Sequence, residues 1–175
     1  FADVMVAVAE HAEHFTAGTP RVIGGRYGLS SKEYTPAMAA GVFAELASAS
    51  PRSRFTVGIT DDVTHLSVTV PDHFDVGDQA LGAVFYGLGS DGTVGASKNT
   101  VKIIGADENR YAQGYFVYDS RKSGATTISH LRFGDRPIDS AHLITEADFI
   151  AVHQFDLVNQ MKTVDIAKVG ATVLI

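Results

Sequence analysis

The residues with the most to offer chemically are Gly87-Leu88-Gly89-Ser90-Asp91-Gly92, a G-x-G-x-x-G run. It follows the strand-like Ala83-Val84-Phe85-Tyr86 and precedes a helical pattern from Thr93 to about Ile104, the context in which the spacing has mechanical meaning. Where glycines remove side chains, the main chain can approach an anion closely. The amides at the helix start, aided by the helix dipole, then stabilise the negative charge. The bland reading is a tight strand-to-helix turn. A second strand, Gly114-Tyr115-Phe116-Val117-Tyr118, ends at Asp119, where a nucleotide-binding βαβ unit carries an acid for a ribose hydroxyl. Ser120-Arg121-Lys122-Ser123-Gly124 come next, and adjacent cations with hydroxyls offer charge-assisted hydrogen bonds to a ribose phosphate. Two ligands fit this set: NADP, and coenzyme A, whose nucleotide is a 3′-phosphorylated ADP. Taken alone, Arg121-Lys122 reads better as a solvated basic turn.

Other reactive side chains carry less. Lys98 and Lys102 lie one turn apart on the helix after the glycine loop and can face phosphates or simply solvent. His65 near Asp61 and Asp62, and His130 with Arg132, have no recognised metal-ligand spacing, and the reading assigns no metal site. His11 and His14 read as helix surface. His130 and His153, at or just beyond strand ends, read as histidines satisfied by backbone hydrogen bonds. No G-x-S-x-G, H-E-x-x-H or G-x-x-x-x-G-K-[ST] motif is present, which weakens hydrolase readings, and no catalytic residue is assigned.

The elements that must hold the loop follow from periodicity. Residues 1 to about 15 predict a helix and Arg21 to Gly28 a short buried strand running into a glycine-rich turn. Thr35-Pro36 opens a helix with Met38, Val42, Phe43 and Leu46 on its apolar face. Arg54 to Ile59 and Leu66 to Val70 predict strands. The breaker-rich stretch Pro71 to Gly82 marks a boundary. Beyond it, strands at 83–86, 114–118, 126–131, 149–152 and 172–175 alternate with helical patterns at 93–104, around 139–145 and at 155–168. That alternation predicts two partial α/β units, the second a Rossmann-like βαβ arrangement on a mainly parallel sheet.

Charge and composition narrow the partners. Fourteen Lys and Arg against twenty Asp and Glu give a formal net charge of −6, which offers no general attraction for nucleic acid. No apolar run reaches the length needed to span a bilayer and the first residues lack a basic leader, so the expectation is no membrane and a cytoplasmic location. Without cysteine, disulfides, thiolate zinc sites and cysteine-ligated iron–sulfur clusters are excluded from these residues. The chain starts inside an apolar-periodic run and stops in a strand, and reads as a fragment cut at both ends.

Longer blocks carry a family resemblance. Gly24-Gly25-Arg26-Tyr27-Gly28-Leu29-Ser30-Ser31-Lys32-Glu33-Tyr34-Thr35-Pro36-Ala37-Met38 resembles a signature block of pyruvate:ferredoxin (flavodoxin) oxidoreductases. Phe55 to His65 and Ala83 to Gly105 resemble the next two blocks in order, and Tyr111 to Ser120 and Ser129 to Gly134 continue the match. The resemblance implies a parent enzyme that uses thiamine diphosphate, Mg and 4Fe–4S clusters, all bound outside this segment, to convert pyruvate and coenzyme A to acetyl-CoA and CO2 while reducing ferredoxin or flavodoxin. It implies that residues 1–75 close a transketolase-C-like domain, 76–82 link, and 83–175 begin the gamma domain, which contributes to coenzyme A binding. The implied coenzyme A contacts are Gly89, Ser90 and Asp91 in the loop and Lys122, Ser123 and Gly124 after the second strand. The implied partners are the remaining domains of the parent and a second copy in a homodimer, and the segment alone is expected to be inactive. Two other readings stand beside this one: an NADP-binding oxidoreductase domain and a non-catalytic scaffold.

Overall fold

In the computed structural model, which describes residues 1–28, 33–77, 79–119 and 124–175, the Thr35 hydroxyl accepts from the Met38 amide at 3.3 Å and Pro36 takes the first helical turn. A proline there forfeits no hydrogen bond, because the first amides of a helix have no internal partner. The chain divides into two units, Phe1–Val76 and Gly77–Ile175. The first holds α1 (Ala2–Glu10), a 3-10 turn at Ala12–His14, β1 (Gly24–Tyr27), α2 (Pro36–Leu46) and β2 (Arg54–Val57). Strands β1 and β2 pair in parallel, Gly24 opposite Arg54. Phe55, Val57 and Val68 form the core, with Ile23, Met38 and Val42 against them. Arg52 clasps Glu45, the guanidinium Nη2 lying 2.7 Å from Oε2, and so ties the end of α2 to the segment entering β2.

Three expectations for this unit change. The predicted strand at Leu66–Val70 is reduced to one parallel bridge, Thr56 to Ser67. Around that bridge the Thr56 amide donates to the Leu66 carbonyl at 2.9 Å and the Val68 amide to the Thr56 carbonyl at 2.8 Å, and side chains add to these: Asp62 Oδ2 accepts from the Ser67 amide at 2.7 Å and Arg52 Nη1 donates to the Leu66 carbonyl at 3.2 Å. The strand expected to be buried at Arg21–Gly28 is shorter and mostly exposed, since it has a single neighbour. The helix expected over residues 1–15 ends at Glu10 before the 3-10 turn.

The second unit runs β3 (Leu81–Leu88), α3 (Thr93–Ile104), β4 (Tyr111–Tyr118), β5 (Thr126–Gly134), β6 (Ala147–Val152), α4 (Asp156–Gln160) and β7 (Ala167–Leu174). The sheet order is β4-β5-β3-β6-β7. Strands β3, β6 and β7 are parallel, while β5 runs antiparallel to both β3 and β4. The α/β class read from the sequence stands, but the sheet is mixed. Only residues 119–125 join β4 to β5, and so short a link makes a hairpin, because a parallel crossover needs a dozen or more residues. Val84, Tyr86, Ile150 and Val152 pack on one face with Ile144 and Leu157. On the other face lies α3, close enough that a Cβ on Gly114 would stand 3.2 Å from Val101 Cγ2.

Two helical patterns do not become helices of the expected length. Residues 139–145 are irregular because side chains from the sheet claim their backbone: the Ser140 carbonyl accepts from Gln113 Nε2 at 2.8 Å, and the Ile144 amide donates to His130 Nδ1 at 3.2 Å. The pattern at 155–168 yields the short α4, and β7 already begins at Ala167.

Candidate functional site

The glycine loop sits where β3 ends, and the parallel pairing of β3 with β6 brings the end of β6 to the same edge of the sheet. This is the edge at which open α/β sheets place ligands. Two conformations make the loop. Ser90 has φ +72° and Gly92 φ +90°, values that glycine adopts freely and serine at some cost. Gly87 faces the start of α3 so closely that a Cβ there would lie 2.6 Å from Thr93 Cβ and 2.7 Å from Asp91 Oδ2.

Asp91 shapes the turn from inside. Its Oδ2 accepts from the Leu88 amide at 2.7 Å and its Oδ1 from the Thr93 amide at 2.8 Å. Partial burial raises its pKa, yet these two amides, with the Thr93 hydroxyl and the nearby His153, prevail and hold the carboxyl below its ordinary value. The Asp91 amide donates to the Leu88 carbonyl at 3.2 Å, and the Gly89 amide to the Ala125 carbonyl at 2.7 Å. Among the described residues, the loop amides left without a partner are those of Ser90 and Gly92. The seat available to an anion is thus narrower than the motif alone advertises.

The Gly89 to Ala125 bond also brings the two halves of the sequence-predicted site together: the loop residues Gly89, Ser90 and Asp91, and the hairpin turn that contains Gly124, itself at φ +74°. Lys122 and Ser123, with Ser120 and Arg121, lie outside the described residues. Asp119 follows the end of β4, as the sequence reading has it, but β4 is not the neighbour of β3. Strand β5 lies between β4 and β3, so at about 4.8 Å per strand the acid stands about 10 Å to the side of the loop's strand. The adjacent-acid geometry behind the NADP reading is therefore absent among the described residues.

Sequence reasoning missed His153. Its ring is not satisfied by backbone: Nδ1 lies 2.7 Å from the Thr93 hydroxyl, and the Phe85 ring meets it edge-on at 6.2 Å. Only the parallel pairing of β3 and β6 brings His153 to Thr93, and no local spacing announces it. His130, by contrast, behaves as expected, its buried Nδ1 accepting from the Ile144 backbone. Lys98 rests its ammonium 5.3 Å from the Phe116 ring centre. In the first unit, His11, Glu13 and His14 place exposed ligand atoms within 4.8 Å of one another. An apolar cavity of about 330 Å³ there is lined by Ile23, Tyr27, Tyr34, Val42 and Phe55, among others.

Residues 82–175, which contain the whole loop and hairpin, match the family model described as pyruvate ferredoxin/flavodoxin oxidoreductase. The chain belongs to this family. Among its relatives, the pyruvate-flavodoxin oxidoreductase of Rhodospirillum rubrum is 59% identical over 157 residues, covering 89% of this chain and 13% of that protein. The pyruvate-flavodoxin oxidoreductase of a Nostoc species is 55% identical over the same shares. The pyruvate:ferredoxin oxidoreductase of Moorella thermoacetica is 51% identical across 100% of this chain and 15% of its own length. This family member thus spans about one seventh of the length of the curated relatives it matches.

Proposed function

We propose that this chain is a segment of a 2-oxoacid oxidoreductase that converts pyruvate and coenzyme A to acetyl-CoA and CO2, and that the glycine loop with the following hairpin helps seat coenzyme A. In the balanced reaction the carboxylate leaves as CO2, the acetyl carbon bonds to the thiol sulfur, and two electrons and a proton are released, the electrons to ferredoxin or flavodoxin. Thiamine diphosphate, when bound elsewhere in the parent, supplies the carbanion stabilisation that decarboxylation needs. These residues contain no cysteine, so they offer no thiolate to an iron–sulfur cluster, and the clusters belong to other segments.

The observation that carries the reading is the joining of loop and hairpin through Gly89 and Ala125 at the ligand-binding edge of the sheet. The Ser90 and Gly92 amides donate to a phosphate, Asp91 holds the loop in shape from beside the seat, and Lys122, Ser123 and Gly124 are the contacts proposed from the hairpin. The contribution is positioning: a held thiol attacks within a complex instead of by collision. The transketolase-C-like and gamma assignments for residues 1–75 and 83–175, and the homodimer, belong to the same reading. Calorimetry of coenzyme A with the full-length parent tests it. Lys122→Glu should weaken binding by about tenfold or more, in keeping with reversal of a charge-assisted contact, and unchanged affinity would remove the hairpin from the site.

A further inference from the structure

The chain turns from α1 into the 3-10 helix at His11, and that change of pitch decides where its side chains go. The His11 amide still donates to the Ala7 carbonyl at 3.2 Å, an α-helical bond, whereas the His14 amide donates to the His11 carbonyl at 3.1 Å and the Phe15 amide to the Ala12 carbonyl at 3.2 Å. On an α-helix residues three apart are offset by about 60°. At three residues per turn they eclipse. His11 and His14 accordingly stack their rings, with centroids 5.8 Å apart and 30° between the planes. Glu13 joins them, its Oε1 lying 3.6 Å from His14 Nε2. One ligand atom from each of the three lies within 4.8 Å of the other two, and all three residues are exposed. Among the described residues no other group of three or more histidines and acids converges in this way, although the chain holds seven histidines and twenty acids.

We infer that His11, Glu13 and His14 form a binding site for a divalent transition metal of the zinc type, with two imidazole nitrogens and one carboxylate as protein ligands and water completing the shell. The site lies in the first unit and is independent of the coenzyme A reading. Ligand type selects the ion: imidazole suits zinc, nickel and copper, whereas magnesium and calcium ask for oxygen ligands, which only Glu13 offers here. Ligand atoms around a tetrahedral ion at about 2.0–2.1 Å stand about 3.4 Å apart. Closing from 4.8 Å to that spacing needs only side-chain rotation, and the side chains of His14 and Glu13 are 73% and 68% exposed, so little packing opposes it. The backbone is already set by the 3-10 bond between the two histidines. What the ion adds is a clip. Helix α1 buries none of its residues, so packing does little to hold the turn that follows it, and an ion shared by His11 and His14 spans that turn and stabilises it by mass action.

Zinc uptake by the full-length parent, read by competition with a fluorescent zinc chelator, tests the site. The difference between wild type and the double variant His11→Ala, His14→Ala counts this site against any other zinc the parent takes up. Wild type should bind about one zinc more per chain. Three open ligands make a weaker site than a closed set of four, so half-saturation is expected at about micromolar free zinc. His11→Ala or His14→Ala alone should each weaken uptake by about tenfold or more, and Glu13→Gln, which keeps both imidazoles, by less. A second measurement needs no variant: anomalous scattering at the zinc edge, from crystals of the parent soaked in zinc, should place an ion within about 2.1 Å of a ring nitrogen of both His11 and His14. Equal uptake by wild type and the double variant, uptake only at about millimolar zinc, displacement by excess magnesium, or no ion shared by the two rings would overturn the inference.

Discussion

Gly87 shows how one missing methyl sets the site. Strand geometry points its absent Cβ at the first residue of α3, where Thr93 and Asp91 already occupy the space at 2.6 and 2.7 Å. Gly87→Ala should therefore push the loop outward, costing about 1–3 kcal/mol, read as a lowered melting temperature, with weaker coenzyme A binding by the parent. The glycine motif was legible in the sequence because strand, turn and helix start are contiguous, so spacing alone locates them. The conduct of Asp91 was not. That a carboxylate would turn back to accept from the amides of Leu88 and Thr93, leaving Ser90 and Gly92 as the open donors, depends on loop torsions that no residue pattern specifies. His153 was illegible for a different reason: its partner Thr93 is sixty positions away, and strand pairing alone joins them.

At the scale of elements, β5 decides most of what periodicity could not. Helix α3 matched its expected span because its start and end are marked locally, by Gly92 and Gly105. The order of strands is not marked in this way. Reading strands as alternating with helices gave a parallel sheet, whereas the short link at residues 119–125 forces a hairpin and moves Asp119 away from β3. The irregular stretch at 139–145 has a comparable cause, since its backbone bonds to Gln113 and His130 compete with helix formation. The His130 bond titrates. Burial, aided by the neighbouring Arg132 charge, lowers its pKa from 6.5 to about 4, so the folded chain keeps the ring neutral while an unfolded chain binds a proton. Stability is then full above about pH 6.5 and declines as pH falls toward about 4, by up to about 3 kcal/mol. Thermal melts across that interval should show the decline, and His130→Asn, which cannot titrate, should flatten it; an equal slope in the variant would assign the acid sensitivity elsewhere.

For the molecule as a whole, each of the two units has its own core, and the family match falls on residues 82–175, within the second. The parallel strands, the loop and the hairpin all converge on one edge of that unit's sheet, while the cysteine-free composition offers no thiolate there, and the curated relatives are about seven times longer than this chain. The claim that unites these observations is that the loop seats a phosphate of coenzyme A. The direct measurement is a crystal structure of the full-length parent with coenzyme A bound. A phosphate oxygen is expected within about 3 Å of the Ser90 or Gly92 amide, beside Gly124 and Ala125. Coenzyme A held elsewhere, with those amides facing only solvent, would contradict it.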